Sequence, residues 1–209
     1  IDNAFPHHTN EIAQSEAYLG HKWCNYWFHV RHLNDATGKM SKSKGEFLTL
    51  SLLMNKGYDP MVYRLFCLQS HYRKALVFSY ENLDNAEQAY EKLVARVAAL
   101  KPAESDPLDE EAAAVLRKEF TDALDNDLNT SMAVTVLYDV LKAKTTDATK
   151  LAALDSFDQV LGLKLTEKAA ALRKAQEAAP VAGGFTVVSE DGREDPRVEA
   201  LIRARADAK

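Results

Sequence analysis

Apolar residues return every three or four positions over much of this chain. Between residues 80 and 100, Leu83, Ala86, Tyr90, Leu93, Val97 and Leu100 fall on one stripe, which predicts a long amphipathic helix. The same period runs through 109–124, 130–144 and 148–161, with DNDLN and TTD between them as capping and turn residues. Amphipathic helices joined by connections this short predict an antiparallel bundle. Residues 166–179, rich in Ala, Lys and Glu, continue helically. Residues 180–195 read as an irregular excursion, and a last helix begins near Pro196.

The first third is patterned differently. Ile12, Ala13, Glu16 and Ala17 keep helical spacing and stop at Gly20, a C-cap candidate. The aromatic run KWCNYWFHV predicts a buried strand, and NDATG supplies turn chemistry after it. LTLSLLMNKGYDPMVYRLFCLQSHY predicts two helices parted at 57–60, with Asp59 as N-cap and Pro60 in the first helical position. No internal repeat is present.

Composition narrows the class. At 209 residues and 46% hydrophobic content the chain is globular, with material for one large or two modest domains. No apolar run reaches the length of a membrane span, and no signal peptide opens the chain. Isoleucine at position 1 and a last stretch that stops inside an amphipathic pattern both read as cut ends. Cys24 and Cys67 make no disulfide framework; a reducing, cytoplasmic setting is expected, with both thiols as buried hydrophobes. The net charge of −5 is uneven. Residues 1–78 hold nine Lys and Arg against six Asp and Glu, all six His, and twelve of the eighteen aromatics. That third is the ligand-facing part; the acidic remainder is scaffold. An acidic total excludes nonspecific coating of nucleic acid but leaves room for a local basic track.

Two stretches carry candidate chemistry. GKMSKSKGEF concentrates lysines among Gly and Ser, a composition suited to a loop that follows phosphates as charge moves onto a departing pyrophosphate. A solvated surface turn has the same composition. His7 and Glu11 stand four residues apart, on one face of a helix. That spacing permits joint metal coordination and equally a surface ion pair.

Lys39-Met40-Ser41-Lys42-Ser43 is identical to the KMSKS signature of class I aminoacyl-tRNA synthetases. FPHHTNEIAQSEA resembles a segment of cysteinyl-tRNA synthetases in particular. NYWFHVRHL, YDPMVYRLFCLQSHYRKALVFSYENLDNA and FTDALDNDLNTSMAVTVLYDVL continue that resemblance in order, over residues 1 to about 165. The resemblance implies a cysteine–tRNA ligase using ATP, cysteine and tRNA(Cys). It makes Lys42 the chief ATP-phosphate contact, with Lys39, Met40, Ser41 and Ser43 around it. It also makes His7 and Glu11 two of four zinc ligands, the other two being cysteines upstream of residue 1. Thr9 departs from the family's usual Glu at a position that is not a ligand. Lys44 and Glu46 depart from the usual Leu and Asn after the signature. The second ATP motif of class I enzymes, HIGH, does not occur in these 209 residues.

The implied fold is mainly α: the C-terminal edge of a Rossmann-type α/β catalytic domain, then a stem-contact region and an antiparallel helix bundle. The expected boundaries are 1–47 (catalytic domain with the KMSKS loop), 48–78 (stem contact), 79–165 (tRNA-binding bundle) and 166–209 (an incomplete tail). Arg64, His71, Tyr72, Arg73 and Lys74 form the expected basic–aromatic track to RNA. The chain is expected to be a monomer, inactive alone, and a weak zinc binder. A tRNA-binding module without catalysis, and a cysteine:aminosugar ligase with the same zinc and KMSKS apparatus, are the alternatives.

Overall fold

The computed structural model describes residues 3–35, 38–39, 49–103 and 105–178. The chain divides into two compact units, 1–170 and 171–209, and the sheet and the helical core belong to the first. The architecture is mainly helical. A five-residue turn of π-helical spacing, Ala4–His8, leads into α1 (Thr9–Leu19). Gly20 closes α1 in the left-handed region at φ 75°, its N–H donating to the Glu16 carbonyl, as expected of a C-cap glycine.

Three short strands form one sheet in the order β2-β1-β3. β1 (Leu33–Asp35) pairs antiparallel with β2 (Gly38–Lys39), Asn34 facing Lys39. It pairs in parallel with β3 (Leu76–Val77), Leu33 facing Leu76. β2, which begins the lysine-rich stretch, therefore lies alongside β1, Asp35 facing Gly38.

The helices after the sheet are α2 (Leu50–Asn55), α3 (Pro60–Leu68), α4 (Tyr80–Ala98), α5 (Glu110–Asp125), α6 (Thr130–Lys142), α7 (Asp147–Leu161) and α8 (Leu165–Ala178). Each from α2 to α7 starts with a side-chain cap. Thr49, Asp59, Ser79, Asp109, Asn129 and Thr146 accept, in turn, from the N–H groups of Leu52, Met61, Asn82, Ala112, Met132 and Thr149. Such caps satisfy donors the helix itself cannot and are each worth about 1 kcal/mol.

The core joins two packed groups. α3 lies against α4 through Val62, Leu65, Phe66, Leu83, Ala86 and Leu93. α5, α6 and α7 pack together around Phe120, Leu137, Leu154 and Phe157, the two phenylalanine rings stacked with centroids 4.2 Å apart. α6 touches α3 and α4 and so connects the groups. The stripe expected in α4 is the buried face: Leu83, Ala86, Tyr90, Leu93 and Val97 are all in the core, with Leu100 just beyond the helix end. Thr149, the one buried polar side chain among the described residues, is satisfied by Asp109 N–H at 2.9 Å and the Thr146 hydroxyl at 2.7 Å.

One expectation fails. The aromatic run 22–30 is not a buried strand; no residue from 3 to 35 is buried, and Tyr26 is 90% exposed. A strand needs a ladder, and among the described residues only the Arg31 N–H reaches a neighbour in this stretch, donating to the Tyr72 carbonyl at 3.0 Å. Side chains still alternate, Trp27 and His29 to one side and Phe28 to the other, against Tyr72. Neither cysteine is a buried hydrophobe. Both are half-buried; the Cys24 thiol donates to the Tyr26 carbonyl at 2.9 Å, and partial burial pushes the Cys67 thiol up from its ordinary value. The excursion at 180–195 and the helix near Pro196 lie outside the described residues.

Candidate functional site

His7 lies near the end of the opening turn and Glu11 in the first turn of α1, both exposed to solvent. Their neighbour His8 is engaged elsewhere. Its ring stacks on Trp27 at 4.2 Å between centroids and on His29 at 4.9 Å, and its Nδ1 meets His29 Nε2 at 3.1 Å. Trp23 meets Trp27 edge-on at 5.6 Å. Partial burial, with the adjacent His8, holds His29 below its ordinary value. The two tryptophans and two histidines thus form one wall beside the His7–Glu11 turn.

His7 and Glu11 carry one imidazole and one carboxylate, donor types that a metal ion takes. Among the described residues no third His, Cys, Asp or Glu joins them in a group that could hold an ion. Cys24 does not complete the set, because its sulfur is turned to the Tyr26 carbonyl. A structural or catalytic zinc takes at least three protein donors, so these two residues by themselves do not make a zinc site.

Of the lysine loop, the backbone of Lys39 is described, in β2 opposite Asn34. Met40, Ser41, Lys42, Ser43, Lys44 and Glu46 lie outside the described residues.

The basic–aromatic track is largely engaged within the protein. Arg64 is exposed, with its Nε donating to the Leu161 carbonyl at the end of α7. Arg73 grips Asp127 with Nε at 2.5 Å and Nη2 at 3.2 Å, while the Tyr72 hydroxyl donates to the same carboxylate at 2.5 Å. His71 Nε2 stands 3.8 Å from it. The Arg73 and Tyr72 hydrogen bonds hold the Asp127 carboxyl below its ordinary value. Lys74 is exposed, with no ion pair among the described residues. Asp127 lies in DNDLN, where the sequence shows only capping and turn chemistry; its grip on a segment more than fifty residues upstream has no local signature.

A cavity of about 380 Å³ adjoins this cluster, walled by Phe28, Val30, Leu76 and Leu128. Its ionisable lining includes Arg31, His71 and Lys74, and no carboxylate.

Comparison with known proteins places these features together. Residues 1–88 match the family described as tRNA synthetases class I (C) catalytic domain, and residues 119–166 match the DALR domain. The chain is 43% identical over 183 residues to a cysteine–tRNA ligase of Novosphingobium aromaticivorans, an alignment covering 80% of this chain and 36% of that protein. It is 38% identical to the cysteine–tRNA ligase of Methylococcus capsulatus, over 100% of this chain and 44% of the relative. For that of Thermococcus onnurineus the identity is 35%, over 99% and 44%. The chain therefore spans less than half the length of these curated relatives. With both domain matches in the same order as the sequence motifs, and relatives of one name in bacteria and in Thermococcus, the chain belongs to the cysteinyl-tRNA synthetase family.

Proposed function

We propose that this chain is part of an enzyme that activates cysteine with ATP and transfers it to tRNA(Cys). The observation that carries the reading is the intact KMSKS string, whose first lysine stands in β2 opposite Asn34, within the stretch 1–88 that matches the class I (C) catalytic domain. Residues 1–47 would be the edge of a Rossmann-type catalytic domain, 48–78 the stem-contact region, 79–165 an antiparallel tRNA-binding bundle and 166–209 an incomplete tail. The enzyme would act as a monomer in the cytoplasm. No helix among the described residues is long and apolar enough to cross a membrane.

In this reading a carboxylate oxygen of cysteine attacks the α-phosphorus of ATP, and the bond to pyrophosphate breaks. Lys42, supported by Lys39, neutralises charge as it moves onto the pyrophosphate, with the Ser41 and Ser43 hydroxyls as further donors and Met40 as the loop's apolar anchor. A hydroxyl at the 3′ end of the tRNA then attacks the activated carbonyl and AMP leaves. No side-chain nucleophile is required; positioning and charge stabilisation suffice. His7 and Glu11 would be two ligands of a zinc ion, which when bound supplies a soft acceptor that separates a thiol substrate from a hydroxyl one. The Trp27–His8–His29 wall lies beside that turn.

The test is cysteine-dependent ATP–pyrophosphate exchange, measured on the 209 residues and on the whole product of the same gene. Exchange by the whole product alone, abolished by Lys42→Ala, is expected. Exchange by neither, with tRNA binding retained, would leave a binding module. Exchange by the 209 residues alone would overturn the assignment of two zinc ligands and the second ATP motif to other parts of the enzyme.

A further inference from the structure

The turn between α5 and α6 is built at a conformational cost. Asp127 and Leu128 both lie in the left-handed region, at φ 57° and 51°. Aspartate tolerates that region better than most residues; leucine does not. The backbone closes the turn with Leu128 N–H on the Leu124 carbonyl at 2.8 Å and Asn129 N–H on the Ala123 carbonyl at 3.1 Å. Glycine would make those same bonds without strain. What glycine lacks is the carboxylate, and the carboxylate of Asp127 is the point where Tyr72 and Arg73 converge.

That contact does little for stability. Arg73 is 66% exposed and Asp127 is 44% exposed, and an exposed ion pair recovers little after screening and side-chain ordering. Its consequence is orientation. Asp127 occupies the Nε and one Nη2 hydrogen of a planar, five-donor fork, which fixes the plane and leaves the opposite edge of the guanidinium unspent. The fork also lies 5.2 Å from the centre of the Tyr72 ring, which is tilted against Phe28 and stacked on His71. Lys74 follows immediately, exposed. A pre-set guanidinium edge beside a lysine matches two neighbouring backbone phosphates better than two mobile cations would.

We propose that Asp127 is a positioning residue for RNA binding, holding Arg73 so that its outer edge, with Lys74, receives phosphates of the tRNA backbone. The proposal rests on the reading of this chain as tRNA-binding. It carries an unusual sign. If Asp127 were only a neighbouring negative charge it would repel RNA, and its removal would tighten binding. A positioning carboxylate predicts the reverse.

The experiment is fluorescence anisotropy of a labelled tRNA(Cys) transcript against the 209-residue chain over a series of NaCl concentrations. Asp127→Ala and Asp127→Asn should weaken binding several-fold and lower the salt slope by about one, the loss of one phosphate contact. Asp127→Glu should recover part of the affinity. Arg73→Lys, which keeps charge but loses the fork, should lose about as much as Asp127→Asn, and the double substitution should add little. The asparagine variant keeps volume and turn propensity, and circular dichroism with thermal unfolding would establish that each variant is folded. Equal or tighter binding by folded Asp127→Asn overturns the proposal, leaving Asp127 a brace for the turn. Unchanged binding by Arg73→Ala and Lys74→Ala overturns it as well, by placing the RNA elsewhere. Failure of the unsubstituted chain to bind the transcript would instead remove the tRNA-binding reading on which the proposal rests.

Discussion

Lys168 Nζ stands 2.5 Å from Asp59 Oδ2, joining the start of α3 to α8 across 109 residues of sequence. The other oxygen of Asp59 caps α3, accepting from Met61 N–H at 2.8 Å. Burial alone would raise the Asp59 carboxyl, but the Lys168 hydrogen bond and the Met61 N–H outweigh it, and its value lies below the ordinary 3.8. A carboxyl depressed on folding binds protons better in the unfolded chain. Its contribution is complete above the ordinary value and fades as pH falls through the folded one. Urea unfolding at pH 7 should therefore show Asp59→Ala less stable by about 2 kcal/mol, from the lost cap and pair together. Asp59→Asn, which still caps, should lose about half of that. Both differences should shrink as the pH falls well below the ordinary carboxylate range and the carboxyl takes up its proton. Persistence of the full Asn difference there would show the ion pair to be irrelevant.

The linker between α7 and α8 is a second junction. Tyr90, 5% exposed on α4, donates its hydroxyl to the Leu163 carbonyl at 2.7 Å. Burial, helped by nearby carboxylates led by Asp59, raises that phenol well above its ordinary value, so it remains a donor throughout the usual pH range. Tyr90→Phe preserves the ring and strands the carbonyl, which should cost about 1–2 kcal/mol in urea unfolding. A loss below roughly 0.3 kcal/mol would mean that water satisfies the carbonyl instead.

Arg64, one of the residues expected in the RNA track, also closes α7. Its Nε donates to the Leu161 carbonyl, and a Cβ placed on Gly162 would lie 3.2 Å from both Nε and Nη2. Gly162 also sits at φ 63°, where a side chain is strained. Gly162→Ala should destabilise by about 1–2 kcal/mol, and Arg64→Ala by a similar amount. Arg64→Ala should leave the salt slope of tRNA binding unchanged. A reduced slope would return Arg64 to the phosphate track.

The helical half was legible because its signals are local. The α4 stripe, Asp59 before Pro60 and Gly20 after Leu19 each act within a turn or two of themselves. The expected helix boundaries fall within one or two residues of those observed. The sheet was not legible. β1 and β3 are two or three residues long, too short to show alternation, and they pair across more than forty residues. The aromatic run 22–30 has strand composition, but composition supplies no ladder. At the site, His7 and Glu11 show through their spacing, whereas the Tyr72–Arg73–Asp127 cluster depends on where a distant turn lands. Only Asp and Asn crowded between α5 and α6 hinted that the turn was unusual.

The donor set makes a prediction about zinc. His7 and Glu11 offer two ligands, and the nearest thiol in sequence, Cys24, is committed to the Tyr26 carbonyl. Recruiting Cys24 would break that hydrogen bond and require the thiol to ionise, while two donors alone leave half of a tetrahedral shell to water. The 209-residue chain, dialysed against zinc and passed through a desalting column, should retain well under one equivalent by metal analysis. What it retains should fall with His7→Ala or Glu11→Ala and stay level with Cys24→Ser. One full equivalent, lost on Cys24→Ser, would show that the irregular segment 22–30 rearranges to bring its thiol to the metal. The Trp27–His8–His29 stack would then have to give way, since it fastens that segment to His8, the residue next to His7. Tryptophan fluorescence during the zinc titration reads that movement directly, and it should remain constant if His7 and Glu11 act alone.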